Sequence, residues 1–314
     1  KTLPLWAALL FGVICGAVIG TIVAAFYLTL ALKTGFQSFD MLALWKASAG
    51  TRAAHPEAFK VGFGAVGWVI FNNVERHNAL SLDMWEALPR ILDQFEADAE
   101  IRVIVLKGAG EKSFISGADI SEFDKKRASA EAVAQYDKIA HEASERLIHA
   151  AKPTIAMIRG YCIGGGLGVA LSCDIRIASI GSRFAIPAAK LGLGYRVSSL
   201  QPLVALIGPA FAKEIIITAR QFDCTEALAM GLINRAVGAK ELESYTADYC
   251  ARIATNAPLT MLAAKRTVDE ISRAPSDLNR ELCERLVEEC FSSADYVEGR
   301  RAFMDKRKPR FEGR

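Results

Sequence analysis

The stretch GYCIGGGLGVALSCD, residues 160–174, places five glycines within nine positions and then runs into an apolar segment closed by an acid. A loop so poor in side chains lets backbone come close to a ligand, and where a helix begins it offers N–H groups with no carbonyl one turn back. Two phosphate-binding patterns fail on spacing. A P-loop ends in Gly-Lys-Ser/Thr, whereas Gly168 is followed by Val169 and Ala170; a dinucleotide fingerprint needs a third glycine where this chain has Leu171. What remains is an anion that forms during reaction, such as an enolate or thioester oxyanion, held by preorganised N–H groups. A tight turn packing helix against strand is the plainer reading of the same glycines.

A second loop, EKSFISGADISEF (111–123), also follows a β-like run and places glycine, alanine and aspartate at a turn. Two such loops can supply one donor each. The elements that must hold them alternate. AVGWVIFN (65–72) and RVIVLKG (102–108) are short, β-branched runs; between them residues 81–98 have helical spacing, with Ser81 as N-cap. The pattern repeats as a helix over 130–149, the strand PTIAMI (153–158), the glycine loop with a short helix, and the strand DIRIAS (174–179). This alternation predicts an α/β fold with parallel pairing. From Glu241 onward only helical patterns occur, including 258–273 and 276–290, which predicts a helical C-terminal subdomain.

With 314 residues, 52% of them hydrophobic, the chain can bury one sizeable core and a smaller appendage. A net charge of +3, dispersed except for Lys306, Arg307, Lys308, Arg310 and Arg314, does not argue for nucleic acid. The run FDKKRASAE (123–131) has three adjacent basic residues, too few for an RNA-binding helix. Seven cysteines without a CxxC pair read as reduced thiols in the cytoplasm. His141 and His149 are eight apart, not at the spacing of a zinc pair, so no metal is expected. Asp119, Glu122 and Asp124 read as partners of a helix start.

Residues 2–32 hold no charged residue, a run longer than the roughly 20 residues that cross a bilayer. Gly12, Gly16 and Gly20 line one face of it, and Lys33, Lys46 and Arg52 behind it against Lys1 ahead place the C-terminal side of the run in the cytoplasm. Residues 4–32 are thus expected either to attach the chain to the inner face of a membrane or to be foreign to the enzyme, from a mis-set start, a fragment boundary or a fusion. A linker-like stretch spans 35–60. The expected organisation is a membrane segment with linker (1–58), a core (59–250) and a helical subdomain for oligomerisation (251–314).

In order along the chain, NALS (78–81), FISGADI (114–120), KPTIAMIRGYCIGGG (152–166), CDIRIA (173–178), EALAMGLINRAV (226–237) and EGRRAFMDKRKPRF (298–311) resemble the crotonase, or enoyl-CoA hydratase/isomerase, superfamily. The resemblance implies a spiral of ββα turns followed by helices, a homo-trimer or hexamer, and acyl-CoA thioester substrates of fatty acid metabolism with no separate cofactor. It implies that the backbone N–H groups of Ala118 and Gly165 form an oxyanion hole. By the same carry-over His77, Ala79, Asp119 and Ile120 line the nucleotide part of coenzyme A. Ser116, Gly164, Pro187, Ala188 and Leu191 border the substrate, and Lys306 reaches the phosphates.

The resemblance also shows two departures. Hydration needs one group to activate water and another to deliver a proton, work suited to paired carboxylates. The hydratases resembled carry those glutamates two residues after the glycine triplet and directly after the proline of the next strand end. Here the positions hold Gly168 and Ala188. The nearest replacements lie in PAAKLGLGYRVSSLQ (187–201), which offers Lys190, Tyr195 and Arg196 and resembles methylmalonyl-CoA decarboxylase in placing a tyrosine after a leucine-glycine pair. That enzyme carries a histidine where this chain has Ala118. The aspartates that serve the dehalogenases and naphthoate synthases of the superfamily are replaced here by Arg196 and Tyr195. The expectation is therefore an acyl-CoA enzyme, lyase or isomerase, working through an enolate. Its alternatives are a decarboxylase using Tyr195 and a non-catalytic acyl-CoA-binding protein.

Overall fold

The computed structural model describes residues 59–63 in backbone, 65–119 and 129–314. Residues 4–32, Ile120, Glu122, Asp124 and most of 123–131, singled out above, lie outside the described residues. The unit Pro56–Arg314 is compact in itself.

A six-stranded sheet has the order β1-β2-β3-β5-β7-β9, built from β1 (Phe59–Phe63), β2 (Val66–Phe71), β3 (Val103–Gly108), β5 (Thr154–Ile158), β7 (Ile175–Ser179) and β9 (Arg235–Val237). β1 pairs antiparallel with β2, and every later neighbour is parallel. A smaller parallel sheet, β4-β6-β8, is made of β4 (Ser113–Ile115), β6 (Tyr161–Ile163) and β8 (Arg183–Ala185). Each pair β3/β4, β5/β6 and β7/β8 therefore steps from the large sheet to the small one within a few residues. That repeated step is the spiral expected from the resemblance. The short strands of the second sheet are not legible as period-two runs, because three residues carry too little pattern.

Helices close the turns. α1 (Leu82–Ala97) buries Met84, Trp85, Leu88, Ile91, Leu92 and Phe95, a stripe at helical spacing, and Ser81 accepts the Met84 N–H as its cap. α2 (Ala130–Ile148) lies against α1, where Arg146 pairs with Asp93 and Glu96. α3 (Gly165–Leu171) follows β6 directly, so the glycine loop ends on a helix start. α4 (Val197–Thr218) is long and apolar enough to cross a membrane, but it breaks at Gly208 and buries Leu203, Ile207, Ala212 and Ile215 in the main core.

α5 (Cys224–Ala229) starts on a capping box of Asp223 and Glu226. α6 (Leu242–Ala254) crosses position 250 and packs Leu242 and Cys250 with Val103, Val105, Ile155 and Ile177 of the large sheet. α7 (Pro258–Ile271), α8 (Arg280–Ser292) and α9 (Ala294–Met304) complete the helical end. A short 3-10 turn at Pro275–Asp277 separates α7 from α8, so the helix expected from residue 276 begins later, with Asn279 capping Leu282. Cys162, Cys173, Cys224 and Cys250 are buried free thiols. Burial pushes the thiols of Cys173 and Cys250 up to about 12, so they pack as inert small hydrophobes.

Candidate active site

The two glycine loops meet where β4 and β6 end. Leu80 bridges Ala118 in parallel: the Leu80 N–H donates to Gly117 O at 2.8 Å and the Asp119 N–H donates to Leu80 O at 2.8 Å. In such a ladder the neighbours of a residue face the partner strand and its own N–H faces the other way. The Ala118 N–H therefore points away from Leu80. On that open flank sits Gly165: a Cβ built there would lie 3.9 Å from the Ala118 nitrogen and 3.4 Å from Leu80 Cδ1. Gly165 is the first residue of α3, where an N–H has no intrahelical carbonyl to meet. Among the described residues neither amide donates to a loop, turn or cap carbonyl. Among the described residues the two amides, one from each loop, stand side by side without such a partner.

The surrounding residues fix this geometry. Gly166 packs so tightly that a Cβ would fall 2.2 Å from Ile115 O, which locks α3 onto β4. Arg176, almost wholly buried, donates through Nη1 to Cys173 O at 2.7 Å and Ala170 O at 3.4 Å, tying down the far end of α3. Asn78 takes a left-handed conformation at φ 58°, donates to Ala109 O and Ser113 O, and accepts from the Asn73 N–H. Neither residue stood out in the sequence as a site residue. The signal was present within NALS and CDIRIA, since asparagine tolerates positive φ and a buried arginine must find carbonyls.

Of the other expected residues, several gather around these loops. His77 approaches Ser113 Oγ through Nδ1 at 3.3 Å, its carbonyl accepts the Ser116 N–H, and Ser116 Oγ donates to Arg76 O. Ala79 is buried. Asp119 accepts two hydrogen bonds from Arg76 at 2.8 Å, and its N–H donates to Leu80 O, so its main-chain donor is taken. Gly164, at φ 54°, donates to Ala185 O and brings β8 alongside. Pro187 and Ala188 open the 3-10 turn Pro187–Lys190; Ala188 is buried and Leu191, just beyond, is exposed. Gly168 has open space where a side chain would stand. Tyr195 packs half-buried against the main core, burial raises its phenol above the ordinary value, and its hydroxyl has no hydrogen-bond partner among the described residues. Lys306 sits in a left-handed turn after α9, where its N–H donates to Phe303 O.

Two cavities lie elsewhere. One, of about 700 Å³, is walled by Asp295, Glu298, Arg307 and Arg310; the other, of about 600 Å³, by Asp174, Arg176, Lys265 and Asp269. Their polar groups are mostly paired within the wall, as in Lys265–Asp174 at 2.9 Å and Arg307–Glu298 at 2.7 Å. Asp269 Oδ2, in the wall of the second cavity, is buried without a hydrogen-bond partner among the described residues.

A two-sheet ββα spiral with an amide pair between consecutive turns is a crotonase-type fold. The family model for enoyl-CoA hydratase/isomerase matches residues 63–314, and the chain belongs to that family. It is 34% identical over 245 residues to a short-chain-enoyl-CoA hydratase of Clostridium acetobutylicum, covering 78% of this chain and 93% of that one. It is 33% identical to a carnitinyl-CoA dehydratase of Proteus mirabilis, covering 76% and 91%. Among solved structures it is similar to an enoyl-CoA hydratase/carnithine racemase from Magnetospirillum magneticum, with 36% identity, a TM-score of 0.76, and 81% of this chain and 95% of that one covered.

Proposed function

We propose that the protein binds an acyl-CoA thioester, receives its carbonyl oxygen between the Ala118 and Gly165 N–H groups, and drives a reaction through the resulting enolate. The observation that carries this reading is the pair of adjacent, unpaired amides at the junction of the two loops. Donors fixed in place before the reaction cost no reorganisation when charge develops, and each is worth roughly 3–4 kcal/mol of barrier in comparable sites. The names of the relatives supply the substrate class. Coenzyme A enters with the substrate, and no metal or separate cofactor takes part.

The reaction at the acyl group differs from ordinary hydration. Gly168 and Ala188 stand where the resemblance puts the two proton-transferring glutamates, and neither can move a proton. Decarboxylation asks less: the bond between the α-carbon and a carboxylate breaks, its electron pair enters the thioester as an enolate, and carbon dioxide leaves. A proton taken from water then replaces the lost carboxyl group on the α-carbon. Tyr195, with its hydroxyl uncommitted and burial holding it protonated, donates to the departing carboxylate. Self-association as a trimer or hexamer belongs to the same reading, supported by the exposed Phe291, Val297, Phe303 and Met304 on α8 and α9. The proposed location is the cytoplasm or the cytoplasmic face of a membrane.

The test offers crotonyl-CoA and methylmalonyl-CoA separately and follows hydration and carbon dioxide release. Release that is lost in Tyr195→Phe is the expected result. Hydration of crotonyl-CoA without carbon dioxide release would replace the decarboxylase reading and require another proton donor. Binding without either reaction would favour a non-catalytic acyl-CoA-binding role.

A further inference from the structure

The segment that carries Tyr195 has little to hold it. Leu191, Gly192, Leu193 and Gly194 are all exposed, and both glycines have open space around them. The Leu191 and Leu193 N–H groups share one acceptor, Ala188 O, and backbone bonds resume only where Ser199 and Leu200 donate to Arg196 O. Among the described residues no N–H of residues 194–196 donates to a loop or turn carbonyl. Besides the packing of Tyr195 on the core, one ion pair among the described residues links this segment to the body of the fold. Arg196 donates from Nε to Asp137 Oδ2 at 2.8 Å, with Nη2 at 2.7 Å from the same oxygen.

The place of Asp137 gives that link a meaning beyond a surface ion pair. It follows Tyr136 on α2, and the Tyr136 hydroxyl accepts the buried Trp85 Nε1–H at 3.0 Å. Trp85 in turn lies beside the anion site, its Cζ2 at 3.9 Å from the Cβ position of Gly165. Consecutive residues of one helix thus reach both halves of the site, Tyr136 toward the Gly165 amide through Trp85 and Asp137 toward Tyr195 through Arg196. We propose that the Asp137–Arg196 pair is a positioning device that fixes Tyr195 relative to the oxyanion hole, with α2 as the common ruler. The inference rests on the role assigned to Tyr195 above.

An exposed pair of this kind contributes little to global stability, so its removal leaves the fold intact. Displacing a reacting group by a fraction of an ångström is costly to turnover, by about tenfold for a modest shift. The variants D137R and R196D are expected to lower kcat for carbon dioxide release from methylmalonyl-CoA about tenfold with KM within about twofold, and the double reversal to recover most of it. R196K recovers less than the double reversal, because an ammonium lacks the guanidinium's paired donors. In a Tyr195→Phe background the reversals have no further effect.

A second readout does not depend on turnover. The Tyr195 phenol, isolated as the ultraviolet difference between each variant and its Tyr195→Phe counterpart, titrates closer to the ordinary tyrosine range in each single reversal and returns in the double. A phenol titration unchanged by every reversal, or a kinetic loss of the same size in the Tyr195→Phe background, overturns the proposal. A phenol that tracks the pair while Tyr195→Phe turns over like the parent supports the positioning device and removes the catalytic role of Tyr195, so the two failures are distinguishable.

Discussion

At the scale of single residues, adjacent glycines of one triplet carry different duties. Gly166 fits because a Cβ would press within 2.2 Å of Ile115 O, a backbone atom that cannot swing aside. Gly166→Ala should therefore cost about 1–3 kcal/mol of stability, seen as a lowered midpoint in denaturant titration. Gly165 has room for a methyl at ordinary contact distances, but that methyl would stand beside the Ala118 N–H. Gly165→Ala should keep its unfolding midpoint close to the parent's and lose turnover by about tenfold or more, measured as kcat/KM on whichever thioester reacts. A pair of variants one residue apart, one failing in stability and the other in chemistry, separates scaffold from site.

At the scale of elements, the contact between α1 and α2 depends on a buried polar pair. Removing the hydroxyl in Tyr136→Phe leaves the Trp85 indole N–H buried without that acceptor, at a cost of about 1–3 kcal/mol in chemical denaturation. The C-terminal tail offers a pH test. Glu298 on α9 accepts two hydrogen bonds from Arg307 and one from the Arg310 N–H, and these hold its carboxyl down to about 2 from an ordinary 4.5. A carboxyl lowered in the folded state contributes its stabilisation above pH 4.5 and loses it as pH falls through that value toward 2. Amide exchange at Arg310 should accelerate relative to core amides across that window, and Glu298→Gln should flatten the change.

For the molecule as a whole, legibility in the sequence tracks the length of the pattern. β2, β3, β5 and β7 are runs of five or six residues, and each appears within a residue or two of its expected limits. The second sheet consists of three-residue strands whose identity comes from the partner across the step, so it emerges only in three dimensions. The site divides in the same way. That Ala118 and Gly165 lie side by side is legible through motif resemblance, because the glycine-rich loops that carry them stand out in the sequence. Arg176 and Asn78 lie within CDIRIA and NALS, but the carbonyls they reach at Leu232, Ala109 and Ser113 are 31 to 56 residues away, so what they hold is visible only in three dimensions.

If the two amides polarise a thioester carbonyl, the infrared stretch of a carbonyl-13C acyl-CoA bound to the protein reports it. The expected result is a shift to lower frequency on binding, diminished in Gly165→Ala. A bound thioester whose carbonyl absorbs where it does in water, in the parent protein, would contradict it.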